Sequence, residues 1–360
     1  GDAARAVDVS PHARRLILFT SGTTSQPKGV VHSAQSLAAA ARNLQALTGS
    51  DRGDRVFLVS PLASITGVLQ VLEMAPTIGA AAALESAFDA ESSLDFLVES
   101  GATFYGGPDL VLDRMLAVAT ERGIRVPLRV AALGGTMLRH ELIQTVESFG
   151  IRVVRVYGSS EAPCSTGTRP DEPASLRLTD EGTPAPGVQV RIAEDDSKEL
   201  LVAGSHLFGG YLDDEQTADA VEDGWFHTGD EAEIVEGRVR IIGRLKDVAS
   251  RNGKKISLAE VDQAFTTATG IVDCAAFIVP DNATGERVAM AVRLPDGGAL
   301  DVPSVLAAME AGGLAKFKLP ESVVRIDAPL PLTPTGKVQR RDLTENGDLL
   351  WRAMRLRETV

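Results

Sequence analysis

Cysteine is nearly absent from this chain: Cys164 and Cys274 are the two thiols among 360 residues. Two cysteines build neither a disulfide framework nor a thiolate metal cluster. That suits a reducing compartment and makes the cytoplasm the expected location. Positive charge is also short. Lys and Arg number 36 against 49 Asp and Glu, a formal net charge of -13, and non-specific nucleic-acid binding needs the opposite sign. The deficit leaves an anionic substrate open, because a local site can carry a sign opposite to the whole. No apolar run reaches membrane-spanning length and no secretory signal is recognisable. Internal repeats and low-complexity tracts are missing as well. What remains is an ordinary globular composition, 44% hydrophobic and 24% charged, at a length that suggests two domains.

The densest chemistry lies near the start. Leu16–Phe19 is a short apolar run that reads as a buried strand. It opens into Thr20–Ser21–Gly22–Thr23–Thr24–Ser25–Gln26–Pro27–Lys28–Gly29. Glycine lets backbone approach an anion without a Cβ clash, and consecutive N–H groups form an anion-binding nest. Thr20, Ser21, Thr23 and Thr24 add hydroxyl donors and Lys28 a point charge. The loop is not a Walker A motif, since no Gly-Lys-Ser/Thr follows at the required spacing. Further on, Val153–Val156 reads as a strand running into Tyr157–Gly158–Ser159–Ser160–Glu161. Sites in open α/β sheets form at strand carboxyl ends, and a carboxylate there can hold Mg²⁺ between phosphate oxygens. Leu133–Gly134–Gly135–Thr136 is a similar strand end.

Three more stretches complete the set: Gly224–Asp230, Gly243–Asp247 and Pro331–Arg340. The last is a Pro-containing loop tipped by Gly336 and Lys337, which presents one cation at little ordering cost. In this order the stretches resemble the adenylate-forming superfamily, which contains acyl-CoA synthetases, peptide-synthetase adenylation domains and firefly luciferase. The phosphate loop of that family lies far into the protein, whereas here it begins at Thr20. The chain is therefore expected to lack the family's front portion, as a fragment or a naturally short member. Ser25 stands where the family has glycine, and at positive φ it would cost about 1 kcal/mol.

The resemblance implies roles. Lys28 and residues Thr20, Ser21, Gly22, Thr23 and Thr24 would grip ATP phosphates, and Glu161 would bind Mg²⁺. Gly134, Gly135, Thr136, Tyr157, Gly158, Ser159 and Ser160 would surround the adenine, with Tyr157 stacked on it. Asp230 would hold the ribose hydroxyls, Arg244 the ribose region, and Lys246 would be a hinge. Lys337 would orient carboxylate and ATP during adenylation. Trp225 and Phe226 read as core and His227 as structural.

Pro61–Gly67 carries no acidic residue, whereas relatives that select amino acids usually have an Asp there for the ammonium group. A carboxylic acid without an α-ammonium is expected, in a pocket drawn from Ile65, Thr66, Tyr105, Gly106, Gly107 and Met137. These small, apolar to mildly polar residues suit an alkyl, alicyclic or aryl acid. Arg251–Ile256 resembles the loop that meets the acyl group in the thioester-forming pose.

The expected fold is α/β. A large N-terminal domain with a mostly parallel sheet and a small antiparallel or barrel region covers residues 1–243. A hinge at 244–247 and a small α+β domain at 248–360 follow. The expected activity is an ATP- and Mg²⁺-dependent carboxylic acid:CoA ligase. Loading of a carrier protein, or a non-catalytic nucleotide-binding remnant, are the alternatives. The expected partners are the acid, ATP and CoA, with no nucleic acid and no membrane span, and a homodimer is admitted.

Overall fold

The computed structural model describes residues 10–20, 27–59, 61–134, 140–294, 298–332 and 338–345. It separates into two compact units. One holds the described residues up to Thr228 together with Glu233–Arg240; the other holds Gly229–Ala232 and the described residues from Ile241 onward. No helix among the described residues is long and apolar enough to cross a membrane.

In the first unit, runs rich in Val, Ala, Leu and Phe form a seven-stranded sheet. Its order is Ala81–Leu84, Arg55–Leu58, Phe104–Gly106, Val130–Leu133, Arg152–Tyr157, Thr166–Gly167, Thr183–Pro184. The first five strands are parallel and the last two antiparallel. Such strands are buried on both faces. Phe57, Tyr105, Ala131, Leu133 and Val153 join one core with Leu94, Leu97, Leu112, Leu116 and Ile143. The alternate residues Val56, Leu58, Phe104, Val130, Ala132 and Val154 are buried as well.

The helix Ala34–Thr48 starts where Ser33 caps it. The Ser33 hydroxyl accepts the Ser36 N–H while the Ser36 hydroxyl accepts the Ser33 N–H. That helix packs on Val68–Met74, which is wound as a π-helix continuous with Ile65–Gly67 before it and Ala75–Ile78 after it. The strand that follows is accordingly shorter than the apolar run Gly79–Leu84 suggests. Arg177, fully buried, pairs with Glu147 and donates to the Val153 carbonyl at 2.9 Å, tying helix to sheet.

Leu16–Phe19 departs from the buried strand expected of it. Among the described residues Arg14–Thr20 pairs with Lys28–Ser33 alone, as a two-stranded antiparallel ribbon. Leu18 is buried, but its neighbours Ile17 and Phe19 are 43% and 69% exposed. Side chains alternate faces, so a two-stranded ribbon covered on one side leaves every second apolar residue outside.

A second sheet runs Val188–Ile192, Glu199–Gly204, Trp225–Val235, Val221–Glu222, with Arg238–Arg244 returning from the turn at Glu236–Gly237. This is the antiparallel half-barrel region. The C-terminal unit has a sheet ordered Lys254–Ser257, Val248–Arg251, Gly285–Val292, Cys274–Asp281, with Ser322–Arg325 parallel to Gly285–Val292. Helices Leu258–Thr269 and Val302–Ala311 cover its core of Val261, Phe265, Val288, Met290 and Met309. Arg251–Ile256, read from sequence as a loop, is a hairpin. Asn252 and Gly253 adopt φ of 50° and 75°, the pair of left-handed residues that two-residue hairpins favour.

Candidate active site

The ribbon sets Thr20 opposite Lys28, so the hydroxyl-rich stretch connects its two strands. Ser21, Gly22, Thr23 and Thr24 lie outside the described residues, as do Gly135, Thr136, Met137 and Lys337. On its other side Lys28–Ser33 meets the segment Phe208–Leu212. Gly209 N–H donates to Val31 O at 2.8 Å, Val31 N–H to Gly210 O at 3.0 Å, and Leu212 N–H to Gly29 O at 2.8 Å. Phe208 N–H donates to Glu161 O at 2.8 Å. This threading delivers Tyr211 to the carboxyl end of Arg152–Tyr157.

There the ring of Tyr211 lies under Lys28 Nζ, 4.6 Å from its centroid, while the hydroxyl donates to Glu161 Oε1 at 2.9 Å. Burial, then the Glu161 charge and hydrogen bond, push the Tyr211 phenol well above its ordinary range, so it remains a donor. Lys28 and Glu161, far apart in sequence, thus share one aromatic side chain. Sequence reading missed Tyr211. The signal was a Gly-Gly pair followed by one of only three tyrosines in the chain.

The turn after the strand is built tightly. A Cβ on Gly158 would lie 2.6 Å from Cys164 N and 2.7 Å from Ala162 O, and one on Gly134 would lie 1.9 Å from Val156 O. Ser159 Oγ accepts the N–H groups of Glu161 and Ala162, both at 3.2 Å, which shapes the bend that carries Glu161. The Ser160 carbonyl accepts from His32 Nε2 at 2.7 Å. A carbonyl only accepts, so Nε2 carries hydrogen, and Nδ1 faces Ser36 Oγ at 3.0 Å. Burial holds His32 below its ordinary range, against the opposing pull of that carbonyl and of Glu161. His32 was not foreseen either.

The candidate acyl residues divide. Ile65 and Thr66 open the helix that Ser64 caps, and Gly106 ends its strand beside Gln70, whose Nε2 donates to Gly106 O at 3.0 Å. Gln70 Oε1 is buried without a hydrogen-bond partner. Tyr105 points to the opposite face, within the core, and its hydroxyl donates to Pro108 O at 2.8 Å. Gly107 continues from Gly106, half-buried.

Cys164 is buried, and burial pushes its thiol up to about 12. Cys274, raised to about 11 mainly by burial, is likewise a poor nucleophile. His227 Nδ1 lies 2.9 Å from Glu199 Oε2. Trp225 stacks against Arg191, and Phe226 packs edge-on to Phe208.

Within the C-terminal unit Asp230, nearly buried, has Oδ1 at 3.3 Å from Nε of the half-exposed Arg244. Lys246 sits in the short 3-10 turn Leu245–Asp247. Arg251 is drawn to Glu321 Oε1 at 2.7 Å, and Lys254 Nζ stands over the Phe317 ring at 4.7 Å.

Residues 2–212 match the family model described as AMP-binding enzyme, and residues 260–337 the AMP-binding enzyme C-terminal domain. An indoleacetate–CoA ligase of Aromatoleum aromaticum is 32% identical over 96% of this chain and 70% of its own length. A medium-chain fatty-acid–CoA ligase of Escherichia coli is 31% identical over 92% of the chain and 61% of its own length. The chain thus spans between 61% and 70% of these two relatives. Among solved structures, ATP-bound MatB from Rhodopseudomonas palustris superposes with a TM-score of 0.86 at 27% identity, over 97% of this chain and 71% of that one.

Proposed function

Because the chain belongs to the AMP-binding enzyme family, with CoA ligases among its relatives, we propose that it activates a fatty, alicyclic or aryl acid with ATP and passes the acyl group to CoA. In the first step a carboxylate oxygen bonds to the α-phosphorus, the bond to the β-phosphate oxygen breaks, and pyrophosphate leaves. In the second the CoA thiol sulfur bonds to the acyl carbon, its proton passes to solvent, and AMP leaves. No protein nucleophile enters either step, in keeping with two buried thiols.

The observation that carries this reading is the Lys28–Tyr211–Glu161 assembly, a cation and a carboxylate held together at a strand carboxyl end. Lys28, with Thr20 and the loop residues 21–24, would hold phosphate oxygens. Glu161 would be the protein ligand of Mg²⁺. No group of three or more acidic, His or Cys side chains among the described residues is placed to hold a metal ion by itself, which leaves Glu161 as one carboxylate facing the phosphates. That donor set fits an ion which keeps its waters and takes further oxygens from phosphate. When bound, Mg²⁺ supplies charge neutralisation on the leaving pyrophosphate.

Tyr157, with the backbone of Gly134, Gly158, Ser159 and Ser160, would flank the adenine, and Asp230 and Arg244 would hold the ribose. Lys337 would meet the reacting carboxylate and phosphate during adenylation. We take residues 1–243 as the nucleotide and acyl domain and 248–360 as the mobile one, with Lys246 as the hinge. Ile65, Thr66, Gly106 and Gly107 would line the acyl pocket, and the cytoplasm suits the free thiols.

The test is acid-dependent exchange of labelled pyrophosphate into ATP across a panel of alkyl, alicyclic and aryl acids, with AMP release followed with and without CoA. Exchange with at least one acid and AMP release quickened by CoA are expected, and Lys337→Ala should lower exchange at least 100-fold. Exchange untouched by Lys337→Ala refutes that role. ATP binding with no exchange for any acid refutes the ligase reading.

A further inference from the structure

Tyr211 joins the two charges of the site and belongs to neither stretch that supplied them. It comes from Phe208–Leu212, fixed between Lys28–Ser33 and Glu161 by four backbone hydrogen bonds. Its own N–H donates to Thr217 Oγ1 at 2.8 Å. Its ring packs edge-on to Phe208, 4.9 Å between centroids, and only 7% of the residue is exposed. The ring therefore cannot follow a moving ligand; Lys28 and Glu161 must adapt to it. We infer that Tyr211 is a positioning residue with two separable jobs. Its ring face parks the Lys28 ammonium where phosphate will lie, and its hydroxyl fixes the orientation of the Glu161 carboxylate for Mg²⁺.

The chemistry makes the two jobs separable. A cation over an aromatic face is held by the ring quadrupole, which Phe supplies as well as Tyr. Orientation of a carboxylate needs an O–H donor, which Phe lacks. With Oε1 held by the phenol at 2.9 Å, the remaining lone pairs of Glu161 keep one direction, so less ordering remains when the metal arrives. A long ammonium stem held over a ring likewise loses less rotamer freedom on binding.

The inference rests on the phosphate and metal roles proposed for Lys28 and Glu161, and the experiment separates the two. ATP binding is measured by titration calorimetry on the whole chain, once with EDTA and once with Mg²⁺, for wild type, Tyr211→Phe, Tyr211→Leu, Lys28→Ala and Glu161→Gln. Circular dichroism confirms that each variant is folded. Tyr211→Phe should bind metal-free ATP as wild type does, but lose about threefold to tenfold of the tightening that Mg²⁺ brings. Tyr211→Leu should lose the same and also weaken metal-free ATP severalfold, as Lys28→Ala does. If Lys28→Ala weakens metal-free ATP and Glu161→Gln loses the Mg²⁺ effect while Tyr211→Phe keeps it in full, the positioning role is overturned. Equal damage by Phe and Leu in both conditions also overturns it, since a packing role alone gives that result. If Glu161→Gln leaves the Mg²⁺ effect intact, the functional reading beneath it fails instead.

Discussion

His206 shows what a single buried side chain does to the acid stability of the first unit. It is 1% exposed, its Nε2 lies 2.9 Å from Ser165 Oγ, and its Nδ1 has no partner. The Ser165 hydroxyl donates to Ala162 O at 2.8 Å, so Nε2–H is the donor to Ser165 and Nδ1 keeps a bare lone pair. Burial, with the nearby His32 charge, depresses His206 from 6.5 to about 4. The unfolded chain therefore binds a proton below pH 6.5 that the folded one refuses until about pH 4. Stability contributed by the neutral ring is fully present above the unfolded value and is lost as pH falls through that window, up to roughly 3 kcal/mol. Urea unfolding measured from pH 7 to pH 4 should show this slope in wild type and a visibly shallower one in His206→Gln. Identical slopes would assign the acid loss to other groups.

Elements explain which residues the sequence revealed. The parallel strands and their helices were legible, because Val130–Leu133 or Ala34–Thr48 carry their own periodicity, caps and stops. So was the turn at Tyr157–Glu161, where an apolar strand runs straight into a glycine. Tyr211, His32 and Gln70 were not. Each earns its place from a distant partner: Glu161, the Ser160 carbonyl and the Gly106 carbonyl respectively. No local window contains such a pair. The strand Lys28–Ser33 was not foreseen either, since its pairing with Arg14–Thr20 depends on the chain turning back between them.

The turn makes a prediction of its own. Gly158 touches the backbone of Ala162 and Cys164, neither of which can swing aside. A methyl group there must push the turn open, at a cost of about 1–3 kcal/mol, and carry Glu161 with it. Gly158→Ala should thus lower the unfolding midpoint and, in protein still folded, weaken the Mg²⁺-dependent part of ATP binding. A variant with wild-type stability and wild-type Mg²⁺ response would show that the turn is looser than its contacts require.

At the scale of the whole molecule, each of the two units closes a core of its own. Phe57, Leu94, Leu116 and Val153 belong to one; Val261, Phe265, Met290 and Met309 belong to the other. Stability should then be a property of each unit and not of the chain as a whole. Phe265 is fully buried on the inner face of Leu258–Thr269, and its truncation removes apolar contact and leaves a void. Phe265→Ala should cost about 3–5 kcal/mol, felt where that core lies. The folding of the first unit, and the Lys28–Tyr211–Glu161 assembly within it, should be spared. Calorimetric scanning is expected to show an asymmetric or double transition in wild type, with one component moved down by Phe265→Ala and the other unchanged. One symmetrical peak displaced as a whole by Phe265→Ala would mean that the two cores melt together, and independent folding of the units would have to be abandoned.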